Sequence, residues 1–202
     1  MSKSKTSHPV SNARKITGVG MLSAVAAVLM FLDFSVPIMP SFIKMDVSEL
    51  PALLASFAYG PVSGVAVCLI KNLINLLQTK TAGVGELCNF MLGAAFVFPA
   101  GLIYQHKKTR GGALWGAVIG AVCMAIFSLP CNYYITYPMY AGFYGGMDRI
   151  IGAYQAIFPG VKDLFGCLTL FNMPFTLVKG LLDSLLCFLI YKPLSPVLHG
   201  RK

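Results

Sequence analysis

The chain has 202 residues, of which 56% are hydrophobic and only 11% charged, and sixteen basic against seven acidic side chains give a net charge of +9. An ordinary soluble domain carries about a quarter charged residues, so the composition excludes one and points to lipid as the solvent. The basic residues gather in particular loops instead of alternating with aromatics on a soluble face, which argues against a nucleic-acid binder.

Residues 1–13 are polar, basic and serine-rich without apolar periodicity, and read as a basic cytoplasmic arm. A membrane domain over 14–192 follows, with spans expected at about 16–34, 47–59, 61–78, 84–105, 112–132 and 164–191, and then a cytoplasmic tail over 193–202. At ~1.5 Å per residue five of these runs suit a bilayer crossing, whereas 47–59 is short enough to be a half-span or re-entrant helix. The first run has no clear A-x-A site and passes straight into Asp33, so it reads as a retained span and not a cleaved signal. Within it Gly20, Ala24 and Ala27 recur at helical spacing, a small-residue pattern that lets another helix approach closely. That other helix could belong to this chain or to a partner.

The segment 33–45 holds Pro37, Met39, Pro40, Phe42 and Met45, too apolar for a solvated linker and suited to covering something. Asp46 and Glu49 then precede Pro51, as an N-cap and a first-turn acid would precede a helix. Gly60-Pro61 ends that helix and opens the next, because proline cannot donate a backbone bond and biases its predecessor away from helix. On the second helix Gly64, Cys68, Asn72 and Asn75 fall near one face, with Lys71 beside them. These are polar groups in costly places.

Further along, Asn89 lies about a turn inside a span that opens near Glu86, where its amide can bond a ligand or a neighbouring helix. Pro130 loosens the end of the next run and places Asn132 at its outer mouth. The tyrosine-rich stretch that follows reads as an interfacial segment. In the last run Lys179 and Asp183 stand one turn apart, roughly 20 Å along a helix from its start, too deep to snorkel easily. Either they form an internal pair or Lys179 faces a ligand with Asp183 in support. Asn172 and Pro174 would open the helix above them.

The six cysteines form no C-x-x-C pair and suit packing. The chain carries no phosphate loop, H-E-x-x-H or G-x-S-x-G, and His8, His106 and His199 fall in the arm, a loop and the tail. A non-enzymatic protein without metal or cofactor is expected, an intramembrane enzyme using Lys179, Asp183 and Glu86 being the alternative.

Asp46, Pro51, the Gly60-Pro61-x-x-Gly64 turn, Lys71-Asn72, GELCNFMLG at 85–93 and PFTLVKG at 174–180 occur in series over nearly the whole chain. In these the chain resembles the substrate-binding S components of the energy-coupling factor (ECF) vitamin transporters, most closely the riboflavin-specific RibU type. The resemblance implies an all-α integral membrane protein with six transmembrane helices and the S-component fold. It implies riboflavin as transported ligand, captured outside and released inward, with the Pro37–Asp46 loop as lid. It further implies that an ECF transmembrane coupling subunit docks on Gly20, Ala24 and Ala27, and that two cytoplasmic ATPase subunits supply energy. Asp46, Asn89, Asn132, Thr176 and Lys179 are the candidate ligand contacts. Thr176 departs from the family's usual asparagine three residues before the lysine, keeping a hydroxyl but losing the amide's double contact. An S component for thiamine or biotin is the alternative within the family. Ten of the sixteen Lys and Arg lie in the arm, the 105–112 loop and the tail or, as Arg14, Lys15 and Lys192 do, directly beside them, so both termini are expected in the cytoplasm of a multi-pass protein of the cell membrane.

Overall fold

The computed structural model describes residues 12–79 and 81–199, of which 191–199 are described by backbone alone; most of the expected arm and the end of the tail lie outside these residues. Among the described residues, five helical stretches are long and apolar enough to cross a membrane: Asn12–Phe31, Pro61–Gln78, Val84–His106, Arg110–Tyr144 and Leu164–Ile190. Their outward faces carry exposed Ile16, Met21, Val28, Val62, Leu77, Trp115, Ile126 and Leu185, as lipid contact requires.

α1 (Asn12–Phe31) leads into the outer loop, and α2 (Glu49–Tyr59) then runs back through the middle of the bundle. Nine consecutive residues of α2, Glu49 to Phe57, are buried, because α1, α3 (Pro61–Asn75), α4 (Val84–His106) and α9 (Met173–His199) all pack on it. A helix enclosed in this way is apolar all round, which is why its sequence shows no lipid-facing stripe. Gly60 turns the chain with φ +102°, a conformation open to glycine, and Pro61 starts α3 where its missing N–H costs nothing. Ser56 is fully buried and its hydroxyl donates to the Val97 carbonyl at 2.7 Å, pinning α2 to α4.

α4 and α5 (Arg110–Cys131) form the most extensive helix pair. Thr109 caps α5 by accepting the Gly112 N–H at 3.1 Å. Gly120 and Gly116 then lie against α4 so closely that an added Cβ would come within 2.5 Å of the Phe96 carbonyl oxygen and 2.7 Å of the Ala100 carbonyl oxygen. Ala113, Ala117 and Ala121 complete this small-residue seam.

The fifth crossing does not stop at residue 132 as the sequence suggests. It continues through a π-helical turn, Asn132–Thr136, into α6 (Tyr137–Tyr144). Pro138 has no N–H to offer the carbonyl four residues back, and the Tyr137 N–H reaches instead to the Asn132 carbonyl. The same device recurs in the last crossing. There α8 (Leu164–Cys167) passes through a second π turn, Leu168–Asn172, into α9, with Pro174 following and the Met173 N–H bonded to the Leu168 carbonyl. The last helix also runs past residue 191 to His199. Between the two crossings lies α7 (Met147–Gln155), entered through Gly145 and Gly146 at φ +81° and +113°.

The outer loop folds on itself. β1 (Phe34–Ser35) pairs antiparallel with β2 (Lys44–Met45), with Phe34 opposite Met45, and Asp33 meets Lys44 at 2.9 Å on the exposed side. Inside the loop, the Met39 N–H donates to the Val36 carbonyl and the Ile43 N–H to the Pro40 carbonyl, both at 2.9 Å. This hairpin is a small addition to an otherwise helical fold. A second apolar cluster, built on Tyr137, Ile150, Tyr154, Cys167 and Leu168, holds Phe42 and Ile43 of the loop.

Candidate functional site

Four charged side chains that the sequence scatters over more than 130 positions meet in one buried cluster. The Lys179 ammonium of α9 lies 2.8 Å from Asp46 Oδ2 and 3.1 Å from Glu49 Oε2. Lys71 of α3 is completely buried and donates to Glu49 Oε1 at 2.6 Å and to the Ser48 hydroxyl. Two ammoniums thus balance two carboxylates, the condition under which buried charge is tolerated. Burial by itself would raise the Asp46 carboxyl, but the Lys179 and Lys71 ammoniums and the hydrogen bonds from Lys179 and the Ser48 N–H hold it well below the ordinary carboxylate range.

Asp46 is therefore not simply a helix cap. Its Oδ1 accepts the Ser48 N–H at 2.9 Å while Oδ2 ties the base of the outer loop to the last helix. Asp183 is likewise not the hydrogen-bonded partner of Lys179: it is buried one turn further on and its carboxyl oxygens have no hydrogen bond among the described residues. Lys179 instead donates to Asp46 and forms an ion pair with Glu49, both of which reach it from other elements.

Above the cluster is an inner chamber of about 160 Å³, lined by Glu49, Asn89, Asn132, Thr176 and Lys179 together with Cys88, Tyr137, Tyr140, Asn172 and Phe175. It adjoins an outer chamber of about 450 Å³, and Phe42, Lys44, Gly85, Asn89 and Tyr140 border both. The fold brings Asn89, Asn132, Thr176 and Lys179 to the inner chamber, while Asp46 lines the outer one. Asn89 Oδ1 accepts from Asn72 at 3.2 Å, so an interhelical bond and a cavity position coexist in one residue.

The two π turns explain how helices present so many polar groups here. Each extra residue rotates the following turn and carries Asn132, Thr136 and Asn172 onto the chamber wall. Of the tyrosine-rich stretch, Tyr137 and Tyr154 are buried, Tyr140 lines the chamber, and Tyr133 and Tyr134 are exposed.

Glu49, Lys71 and Asn172 are the polar side chains for which sequence reasoning assigned no contact. Lys71 in the middle of an apolar run carried a signal, since an ammonium there demands a partner; Glu49 was masked by the ordinary role of an acid in a first helical turn. In the loop, Met39, Pro40 and Met45 are buried, Phe42 is half-buried and Pro37 is exposed. On α1, Gly20 and Ala24 face outward, whereas Ala27 is turned into the bundle and packed, so it is not part of the same outward face. An apolar lateral groove of about 500 Å³, bordered by Thr17, Met21, Val25, Leu54 and Tyr59, runs beside them.

Cys88 and Cys131 approach to 3.5 Å between sulfurs as free thiols, and among the described residues no three potential ligands gather to hold a metal ion. Glu86 accepts from Asn75 at 3.2 Å and Thr79 at 3.0 Å, which ties it to the loop before α4 and away from Lys179.

The family model for the ECF transporter, substrate-specific component, matches residues 14–191. The riboflavin transporter RibU of Staphylococcus aureus (strain TCH60) is 34% identical over 184 residues, covering 91% of this chain and 91% of that protein. The riboflavin transporter FmnP of Bacillus subtilis (strain 168) is 31% identical over 193 residues, covering 94% of this chain and 96% of its own. A solved structure of the S component of a bacterial ECF transporter superposes with a TM-score of 0.73 at 32% identity, covering 93% of this chain and 99% of that one.

Proposed function

The chain belongs to the family of substrate-specific components of ECF transporters, and from that premise we propose that it binds riboflavin from outside the cell and delivers it inward. It is a multi-pass membrane transport subunit and not an enzyme. The observation that carries the ligand is a chamber with apolar and aromatic walls, roofed by a folded loop, whose polar groups converge from seven separate elements. Relatives named as riboflavin transporters share most of its length. A flat ring system suits such walls, and a polyhydroxyl chain and a pyrimidine edge suit fixed amides, hydroxyls and an ammonium. Lys179 has three donors and spends two on carboxylates, leaving one for a ligand.

Asp46, Asn89, Asn132, Thr176 and Lys179 contact the vitamin or hold the groups that do, and the segment from Pro37 through Met39, Pro40, Phe42 and Met45 is the lid. The outward face at Gly20 and Ala24, with the groove beside it, receives the membrane-embedded coupling subunit, and two cytoplasmic ATPases power reorientation. The concentration of basic residues in and beside the arm, the 105–112 loop and the tail supports a cytoplasmic position for both termini.

The test is the absorption spectrum of the chain purified in detergent from riboflavin-supplemented cells, followed by titration against free riboflavin fluorescence. A copurified yellow flavin and quenching that saturates near one riboflavin per chain are expected. Folded, colourless protein that leaves riboflavin fluorescence unquenched would discard this ligand.

A further inference from the structure

The buried acids and bases around Lys179 do not match in number. Lys179 and Lys71 are balanced by Asp46 and Glu49. Asp183 is left over: it is completely buried, and among the described residues its carboxyl oxygens have neither a hydrogen bond nor an ion pair. It stands within electrostatic range of Glu49, Lys179, Asp46 and Lys71, and the Cys68 thiol of α3 and the Cys187 thiol of α9 lie within the same range. Of the other elements packed on α9, the π turn Leu168–Asn172 has no ionisable side chain, and α5 brings Ala121 and Met124 against Gly180. A third negative charge would be unpaired in this site, so the Asp183 carboxyl holds its proton while the four other groups are engaged.

Its position suits a counter-charge held in reserve. Side chains on an α-helix lean toward its start, so the Asp183 carboxyl leans toward the turn that carries Lys179. One turn apart the two are within reach, but acid after base is the weaker order for such a pair, and Lys179 lies with Asp46 and Glu49 instead. Those two acids are anchored differently. Glu49 belongs to the buried run of α2, whereas Asp46 directly follows β2 and its Oδ2 ties the outer loop to α9. A loop that lifts takes Asp46 with it and leaves Lys71 and Lys179 sharing Glu49. An ammonium stranded in this way is strongly unfavourable. If the Asp183 O–H bond breaks and its proton leaves to water entering the opened chamber, the new carboxylate takes Lys179, and two ammoniums again face two carboxylates.

We propose that Asp183 is the alternative counter-ion of Lys179, a positioning residue that pairs with it when the loop over the chamber opens and that releases one proton in doing so. This rests on the reading of the Pro37–Asp46 loop as a lid, and not on which vitamin lies beneath it. Because the open form holds one proton fewer, opening is favoured as pH rises, by up to about tenfold per unit.

The experiment is hydrogen exchange read by mass spectrometry on the full chain in detergent, without ligand, at about pH 6 and about pH 8. Peptides covering 33–46 report opening, since the Met39 and Ile43 amides are bonded inside the loop. Comparing variants at one pH cancels the intrinsic pH dependence of exchange. Asp46→Asn weakens the tie and should speed exchange of the loop severalfold. Asp183→Asn is nearly isosteric and removes the reserve charge; its loop should exchange roughly tenfold or more slowly than the parent at about pH 8 and close to the parent at about pH 6. Exchange equal to or faster than the parent's at about pH 8, or slower by the same factor at both pH values, would overturn the proposal, while an effect of Asp46→Asn would leave the lid reading standing. No effect of Asp46→Asn either would mean that this pair does not hold the loop, and both readings would fall. The parent alone carries the same test should a variant not fold: normalised to an unstructured peptide at each pH, its loop opening should grow between the two, and a flat result overturns the proposal.

Discussion

Lys71→Met tests whether the buried charge cluster is a balanced unit. The side chain is fully buried, does not line the inner chamber, and donates hydrogen bonds to Glu49 at 2.6 Å and to the Ser48 hydroxyl. Methionine fills similar volume but leaves Asp46 and Glu49 sharing the single charge of Lys179, 2.8 and 3.1 Å away. Removing one partner of a buried pair costs about 3–5 kcal/mol, chiefly from the charge left uncompensated. At about 2–4 °C per kcal/mol for a chain of this size, the apparent Tm should fall by roughly 6–20 °C. Cys68, Cys88, Cys131, Cys167 and Cys187 are buried free thiols, so a thiol-reactive fluorescent dye reports unfolding in detergent without any ligand. Adding Glu49→Gln removes the stranded charge and restores the balance of Lys179 with Asp46, so the double variant should recover a large part of the loss. A single variant melting within about 2 °C of the parent, less than 1 kcal/mol on the same scale, would refute the idea that these four charges compensate one another.

Three further outcomes follow from particular contacts. Phe42→Ala removes ring contacts to Tyr137, Tyr144 and Tyr154; at about 0.5–1.5 kcal/mol per aromatic pair, riboflavin dissociation followed by stopped-flow fluorescence should quicken roughly tenfold or more, and an unchanged off-rate would mean the loop does not retain the ligand. Gly120→Val places a Cβ 2.5 Å from the Phe96 carbonyl oxygen and must push α4 and α5 apart; size-exclusion chromatography should show a reduced folded fraction, with a cost of about 1–3 kcal/mol or more, and a normal yield with parental Tm would contradict the packing. Ser56→Ala deprives the Val97 carbonyl of its only side-chain donor across α2 and α4 among the described residues and should lower stability by about 1–2 kcal/mol, read as a few degrees in the same dye assay.

The crossing segments were legible because hydrocarbon imposes one rule everywhere: long apolar runs, with charge confined to loops, satisfy their backbone internally as helices. Individual costly residues were legible too. Lys179 declared itself because an ammonium that cannot snorkel must face a cavity or a counter-charge, and Gly60-Pro61 marked a turn whose φ of +102° favours glycine. The chain itself therefore determined the membrane architecture and most of the polar groups that line the chamber.

Partners across the bundle were decided only by tertiary structure. One-turn spacing offered Asp183 to Lys179, yet Asp46 and Glu49 take that ammonium from 133 and 130 positions away, since helices brought side by side place carboxylates nearer than any local neighbour can. Glu49 looked like a first-turn acid because helix-terminal electrostatics explain such a residue completely until Lys71 is seen beneath it. The expected end of the fifth crossing at residue 132 failed for a similar reason. Pro130 ahead of a tyrosine-rich stretch signals a break, but the helix runs straight through it and continues by a π turn at 132–136, which absorbs the N–H that Pro138 lacks. Asn172 meets Tyr137 and Tyr154 only because two such turns face each other across the chamber, a juxtaposition that depends on helix rotation and leaves no periodic trace in the sequence.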